Sequence, residues 1–330
     1  MVDGMKMSKF DRTLPEAGLA YLETRPDWWQ HLLEHRFSDI GGREQPLFLA
    51  IRNGYLNAYV EGQSVLKVGF DLRTTLTGLH GMIHHKYVVE NADGQRYLKF
   101  NGSRIGGKPY LGRSSLDDWA KQAKTYATME KQGIAAIAGC NPHVIDVEMG
   151  LPARKVIGAE KRQSAPRMDI VALEQDGKGI KIVFYEAKLF RNPELRADNL
   201  KPCVLNQLQR YEDWINSDQR ADEVADAYRR ACGILIRLHS TRRDDRVRPV
   251  NRLVVEAAKG GSDLRVDRKP RLIIFGYNPE QRGAYWKRHE DALRQAGIDG
   301  HRLIMMPRPE DVKLAESATP EAGLAEPKKI

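Results

Sequence analysis

The sequence predicts an α/β protein in which a mixed β-sheet is flanked by helices and preceded by a β-rich domain. After residue 115, helical patterns and short apolar runs follow in the order helix, strand, hairpin, helix, strand, which is typical of a layered α/β sandwich. Before residue 105, short apolar runs are separated by Gly-containing turns, a pattern typical of a small antiparallel sheet. We therefore place an N-terminal domain at 1–105, an α/β domain at 110–307 and a disordered tail at 308–330.

The composition is that of a globular, moderately basic chain. The 330 residues carry 53 Lys and Arg against 44 Asp and Glu, which gives a formal net charge of +9. This charge fits a polyanionic partner but does not establish one. The three cysteines are far apart and lack metal-ligand spacing, so they indicate neither a disulfide framework nor a zinc site. No apolar run approaches the length of a membrane span, and we expect a cytoplasmic protein that does not contact membranes.

The N-terminal domain is predicted to begin with a helix at 15–36 that Pro26 splits. Turns such as the Asn-Gly pair at 53–54 are strong hairpin signals. His84 and His85 have no further ligand at metal spacing, and we predict that they are surface residues. The strands expected in this domain lie at 46–52, 55–60, 64–70, 82–89 and 96–100.

The α/β domain follows a Gly-rich linker at 101–115, and Ser115 is predicted to cap a helix that runs to about Ile137. Later segments show helical periodicity or form short buried apolar runs. The further helices are expected at 204–216, 221–231 and 279–296. The further strands are expected at 144–151, 233–238, 272–275 and 303–306.

A hairpin at 168–188 organises the α/β domain. Two apolar runs flank a Gly-containing turn at 175–179, which is a hairpin signal. One strand begins with Asp169, and alternation places Glu186 and Lys188 on one face of the other strand. Pairing about the turn brings all three charges to the same end of the hairpin. These charges need a partner or a metal, because an unpaired buried charge is costly.

The residue types at this end of the hairpin suit phosphodiester hydrolysis. Mg²⁺ typically takes one or two protein carboxylates and keeps waters and a phosphate oxygen as its other ligands. Asp169 and Glu186 fit that role, and a bound metal activates water for attack on phosphorus. Lys188 could orient or deprotonate the water, or stabilise developing charge as a cation. The alternative is a salt-bridge cluster at a sheet edge.

Asp169, followed across the hairpin by Glu186-Ala187-Lys188, resembles the PD-(D/E)xK nuclease superfamily, whose fold is called restriction-endonuclease-like. The residue before Asp169 is Met168, where the motif has Pro. Three further features agree with the resemblance over about 115–240. They are Glu130 in the preceding helix, Asn141-Pro142 after that helix, and the QxxxY motif formed by Gln207 and Tyr211. A helix places the two residues of this motif on one face.

The resemblance implies a nuclease that hydrolyses DNA, less often RNA, with Mg²⁺ or Mn²⁺ as its cofactor. The catalytic residues that it implies are Asp169, Glu186, Lys188, Gln207 and Tyr211. The metal ligands that it implies are Glu130, Asp169, Glu186 and the backbone carbonyl of Ala187. Glu148 and Glu160 are alternatives to Glu130 as the upstream acidic residue.

Basic residues near the hairpin are candidate contacts for a nucleic-acid backbone, which gives affinity without sequence choice. Those that precede Asp169 are Lys155, Lys161, Arg162 and Arg167. Arg242 and Arg243 belong to an arginine-rich segment at 237–252. This segment is either a solvated loop or a phosphate-contacting loop.

Two other functions stay open. A non-catalytic nucleic-acid-binding or assembly module of the same fold would bind DNA without cleaving it, and a transposase-type nuclease subunit would cleave only with its partner protein. A role in bacterial anti-phage defence or restriction follows from family analogy alone. The N-terminal domain could recognise substrate, bind a partner protein or form a homo-oligomer.

Overall fold

The computed structural model describes residues 9–316 except 71–78, 89–95, 153–165, 198–200, 218 and 244–248. Within these ranges the chain forms eight α-helices and fifteen β-strands in three sheets. The protein is therefore a mixed α/β protein, as the sequence predicts. No helix in this part of the chain is both long and apolar enough to cross a lipid bilayer.

The N-terminal segment contains two short helices and two antiparallel sheets. Pro26 precedes the second helix, and the predicted split at this proline is confirmed. The helices and the two-stranded sheet are α1 (Glu16–Glu23), α2 (Asp27–Glu34), β1 (Arg36–Ser38) and β2 (Glu44–Pro46). The seven-stranded sheet, whose strands are neighbours in chain order, consists of β3 (Phe48–Ile51), β4 (Tyr55–Val60), β5 (Gln63–Phe70), β6 (Leu79–His84), β7 (Tyr97–Phe100), β8 (Arg104–Ile105) and β9 (Lys108–Pro109).

The second half of the chain builds a mixed sheet between helices. Its elements are α3 (Arg113–Tyr126), α4 (Met129–Cys140), β10 (Val144–Gly150), β11 (Arg167–Asp176), β12 (Gly179–Leu189), α5 (Val204–Ile215), α6 (Arg220–Ser240), α7 (Arg252–Ala258), β13 (Leu264–Val266), β14 (Arg271–Phe275), α8 (Ala284–Gln295) and β15 (Leu303–Met306). The strand order is β10-β11-β12-β14-β15, and β13 also pairs with β12. The first three strands are antiparallel, whereas β12, β14 and β15 are parallel.

Helices cover both faces of this mixed sheet. On one face, Ile134 and Ile137 of α4 share a buried cluster with Tyr185 and Ala187 of β12. On the other face, the ring of Phe184 lies 4.9 Å from that of Tyr211 in α5 and 6.1 Å from that of Tyr228 in α6. Successive residues of β12 therefore face opposite helical layers, because side chains alternate along a strand. Glu186 and Lys188 lie two and four residues after Phe184, so their side chains are on the same face of the sheet, which α5 covers.

Several predicted elements differ from the structure. Ser115 does not cap α3 but lies inside it, because the N-cap is Gly112. The strand expected at 82–89 ends at His84 and is followed by a 3₁₀ turn.

The strand expected at 233–238 is wrong, because these residues continue α6 to Ser240. A short apolar run cannot be assigned to a strand by periodicity alone, and here Ala231, Ile234 and Leu238 continue a buried helical stripe. The single helix expected before residue 137 is two helices, with the Thr128 side chain capping α4. The helix expected at 279–296 begins only at Ala284, after a 3₁₀ turn.

The tail predicted to be disordered from residue 308 is packed as far as Glu316. Val312 and Leu314 are buried in the cluster under α4. The Asn141 side chain donates to the Val312 carbonyl at 2.9 Å and accepts from the Leu314 amide at 2.9 Å. The physical reason is that two apolar side chains two residues apart point into one core on an extended segment. The rest of the predicted tail lies outside the described residues.

A buried ionic network joins the N-terminal segment to the mixed sheet. Asp146 of β10 accepts from Arg12 at 3.2 Å, from Arg52, and from the Tyr228 hydroxyl at 3.0 Å. Arg52 also donates to the Val147 carbonyl at 2.7 Å. The main hydrophobic cluster contains residues of both segments, so the core is continuous across the predicted domain boundary.

Candidate active site at the end of the central hairpin

The predicted hairpin is formed by β11 and β12, and its register brings the acidic residues together. The ladder runs from Asp176 opposite Gly179 to Ile170 opposite Tyr185. The next pair in this register is Asp169 and Glu186, just beyond the last pair of the ladder. The Ala187 amide donates to Asp169 Oδ2 at 2.8 Å, so the backbone of Ala187 faces the aspartate.

Lys188 completes a compact charged cluster. Its Nζ lies 2.9 Å from Glu186 Oε1 and 2.7 Å from Glu194 Oε2. Glu186 and Lys188 are buried, whereas Asp169 is half-buried. Glu194 was missed in the sequence because it lies on a 3₁₀ turn beyond the end of β12, where no strand periodicity marks it.

The surroundings of the Asp169 and Glu186 carboxyl groups disfavour their ionised forms. Burial, together with the neighbouring Glu186 charge, raises the pKa of Asp169 well above its usual value. Burial raises the pKa of Glu186 to about 7 despite the opposing effect of Lys188. Burial disfavours the charged form of Lys188, but Glu186 and Glu194 outweigh it and raise the pKa of the lysine. Lys188 is therefore a cation at neutral pH, which favours an electrostatic role over that of a base.

Two upstream glutamates approach this cluster from different elements. Glu130, in the first turn of α4, accepts from the Leu189 amide at 3.1 Å and from the Asn192 side chain at 2.8 Å. It thereby fastens the end of β12 and the start of the turn that carries Glu194. Glu148 lies opposite Asp169 in the β10–β11 register and forms an ion pair with Lys131 at 3.3 Å. The third alternative, Glu160, lies outside the described residues.

The predicted QxxxY pair lies on the helix that covers the same face of β12. Tyr211 is fully buried, and its hydroxyl donates to the Asp267 carbonyl at 3.0 Å, so its contacts are those of a packing residue. Gln207 precedes it by one helical turn and lies on the same side of α5. The Gln207 Oε1 is buried and has no hydrogen-bond partner among the described residues. This oxygen is an acceptor that can accept a hydrogen bond from a bound water or ligand.

The predicted nucleic-acid contacts divide into three groups. Arg167 is exposed at the start of β11, two residues from Asp169. Arg242 donates to the Leu33 carbonyl at 2.8 Å, and Arg243 contacts Asp27 at 3.1 Å, so both are held against α2. The remaining three are Lys155, Lys161 and Arg162, which lie outside the described residues.

The donor set fits a hard divalent cation that keeps most of its waters. Within the ranges that the structure describes, no three His, Cys, Asp or Glu side chains lie close enough together to hold a metal by themselves. A Mg²⁺ ion needs only one or two carboxylates from the protein. Asp169 and Glu186 supply two. Burial first, and neighbouring carboxylates second, raise their pKa values, and a bound cation would favour the ionised forms that burial disfavours.

We expect Mg²⁺ to stabilise the protein at about pH 8 and to have little effect at about pH 5. Glu186, with its pKa raised to about 7, keeps a proton that the unfolded chain releases above the ordinary value of 4.5. The free energy of unfolding therefore falls as the pH rises through this window. A cation bound to the ionised carboxylates offsets the loss, and protons compete with it at low pH. Thermal unfolding with and without Mg²⁺ measures the effect, and an unchanged Mg²⁺ response in Glu186→Gln would contradict it.

Comparisons with known proteins add no family assignment. The chain matches no protein-family model, no curated protein and no solved structure.

Proposed function

We propose that the chain is a divalent-metal-dependent nuclease that hydrolyses DNA, with a restriction-endonuclease-like domain and its active site at the end of the β11–β12 hairpin. The observation that carries the proposal is the juxtaposition of Asp169 and Glu186 on adjacent strands, with buried Lys188 on the same face of the sheet. Two carboxyl groups with raised pKa values beside one cation lower the stability of the fold. Such groups are typical of a functional site.

Each residue of the cluster has a distinct role in this proposal. Asp169, Glu186 and the Ala187 carbonyl would hold Mg²⁺ or Mn²⁺, which when bound activates water and neutralises charge on the phosphate. Lys188 orients the attacking water or stabilises negative charge that develops on the phosphate oxygens. Glu130 positions the end of β12 through its hydrogen bond to the Leu189 amide.

The elements around the charged cluster also support the nuclease proposal. A central hairpin in a mixed sheet, with α4 on one face and α5 on the other, is the arrangement that the superfamily resemblance implies. The unpartnered Gln207 Oε1 on α5 could accept a hydrogen bond from a metal-bound water. Exposed Arg167, close to Asp169 in β11, could contact a phosphate of the bound strand.

A cleavage assay tests the proposal. Purified protein is incubated with linear and circular DNA and with RNA, in Mg²⁺, Mn²⁺ or EDTA. We expect products only with metal and only from the wild type and the control Asp176→Asn, which changes a carboxylate at the other end of β11. Asp169→Asn should abolish cleavage. Equal product from wild type and Asp169→Asn would refute the assignment, and DNA binding without cleavage would favour a non-catalytic module.

A further inference from the structure

A row of aromatic rings runs from the paired ends of β6 and β7 to the end of α3. Ring centroids are separated by 5.1 Å from Tyr97 to His84, by 6.1 Å from His84 to Tyr87 and by 6.3 Å from Tyr87 to Tyr126. His85 lies 4.6 Å from His84. We call this row the aromatic patch. Its residues come from β6, β7, the turn after β6 and the end of α3.

Both ends of the patch are exposed to solvent. Tyr97 is 40% exposed and Tyr126 is 49% exposed. Met129, three residues after Tyr126, is 59% exposed. In the described part of the chain, six large hydrophobic residues are between 39% and 68% exposed. Three of them lie in or beside the patch. Tyr87 is buried between the two ends of the row, so the rings that packing leaves available to a ligand are those of Tyr97 and Tyr126.

Cations accompany the rings. Lys86 Nζ lies 4.8 Å from the Tyr87 ring centroid and 5.0 Å from the Tyr126 ring centroid. The Arg96 guanidinium lies 5.8 Å from the ring centroid of Tyr97. Proteins bind single-stranded nucleic acid with aromatic rings and cations together. Bases stack on the rings, and phosphates pair with the charges.

The patch also leads towards the candidate active site. Lys86 is close enough to Lys131 for their charges to interact, an effect that adds to burial in lowering the pKa of Lys86. Lys131 in turn pairs with Glu148 at 3.3 Å, and Glu148 lies opposite Asp169 in the sheet. A strand bound across the patch would thus continue towards the carboxylates.

We propose that the aromatic patch binds single-stranded nucleic acid, with unpaired bases stacked on Tyr97 and Tyr126 and with phosphates next to Lys86 and Arg96. Unpaired bases are required because the base faces of a duplex are already stacked on each other. The proposal deepens the nuclease assignment by naming a single strand as the form of substrate that the N-terminal sheet presents. Binding by stacking is tolerant of sequence, since every base has a ring face.

The test is equilibrium binding of the full chain to fluorescent oligo(dT) and oligo(U) strands in EDTA, where no metal-dependent cleavage occurs. For the strand that binds more tightly, Tyr97→Ala and Tyr126→Ala should each raise Kd at least about fivefold, the lower limit for loss of one stacked base. Tyr97→Phe and Tyr126→Phe keep the ring and should bind like the wild type. Leu111→Ala removes a side chain that is 68% exposed just before the start of α3, about 20 Å from Tyr126 along the helix, and should not change Kd.

Two results would overturn the proposal. One is wild-type affinity in both alanine variants, with thermal unfolding unchanged. The other is binding of a blunt duplex as tight as that of either single strand. These readouts are separate from the nuclease assignment, because binding in EDTA does not need Asp169. Loss of cleavage in the Asp169→Asn variant with wild-type binding in EDTA would support the nuclease assignment and show that binding does not depend on the carboxylate cluster.

Discussion

Replacement of Lys188 by methionine is expected to lower the rate of metal-dependent DNA cleavage by about 10²–10⁴-fold, the range typical of a lost acid–base or charge-stabilising group. The ammonium group lies between Glu186 and Glu194, on the face that also carries Asp169. Its removal deletes the cation that acts on water or on the phosphate but leaves both carboxylates. Single-turnover cleavage at saturating Mg²⁺ measures the loss.

A matched control lies on the same strand. Lys181 of β12 pairs with Asp176 at 3.4 Å near the turn of the hairpin, far from the cluster. Lys181→Met should therefore cleave at the wild-type rate. If Lys188→Met retained the wild-type rate while unfolding at the same temperature, Lys188 would have no catalytic role, and the assignment of the cluster would need revision.

Asp146→Ala is expected to reduce the free energy of unfolding by about 3–5 kcal/mol, the cost typical of breaking a buried ion pair. Asp146 is 1% exposed and is the shared acceptor of Arg12, Arg52 and the Tyr228 hydroxyl. Its removal leaves two buried guanidinium groups without their carboxylate partner at the contact between the N-terminal segment and β10. Urea unfolding monitored by circular dichroism measures the change.

The comparison variant for this prediction is Asp176→Ala. Asp176 pairs with Lys181 in a partly exposed pair, with side-chain exposures of 35% and 27%. Pairs of this kind contribute at most about 1 kcal/mol. Equal losses of stability in the two variants would show that the Asp146 network does not hold the two segments together.

The central hairpin was the most predictable part of the molecule. Its turn sits between two apolar runs, and a short turn sets the register of the strands that it joins. That register places Asp169 next to Glu186 without any further information. The same reasoning could identify Arg167 at the start of β11, since it precedes Asp169 by two residues.

Contacts between distant segments could not be predicted in the same way. Glu194 reaches Lys188 only because a 3₁₀ turn follows β12. Arg12 contacts Asp146 although the two residues are 134 positions apart in the sequence. In the sequence, Val312 and Leu314 lie in a polar tail. In the structure, the Asn141 side chain hydrogen-bonds to the backbone of both residues. Such pairings depend on which surfaces meet in three dimensions, and no local periodicity encodes them.

The arginine-rich segment shows why charge alone is ambiguous. Arg242 and Arg243 carry the charge that a phosphate contact needs, yet their donors are directed to carbonyl and carboxylate oxygens of α2 and its preceding turn. Composition predicts the presence of cations but not their partners. Their role in nucleic-acid binding stays a prediction.

The measurement that tests the central claim most directly is anomalous scattering from crystals soaked in Mn²⁺. The account predicts a peak within coordination distance of the Asp169 and Glu186 carboxylates in the wild type and no peak there in Asp169→Asn. A wild-type crystal that gives no peak at the end of the hairpin, while the same preparation cleaves DNA with Mn²⁺, would place the metal elsewhere and contradict the assignment.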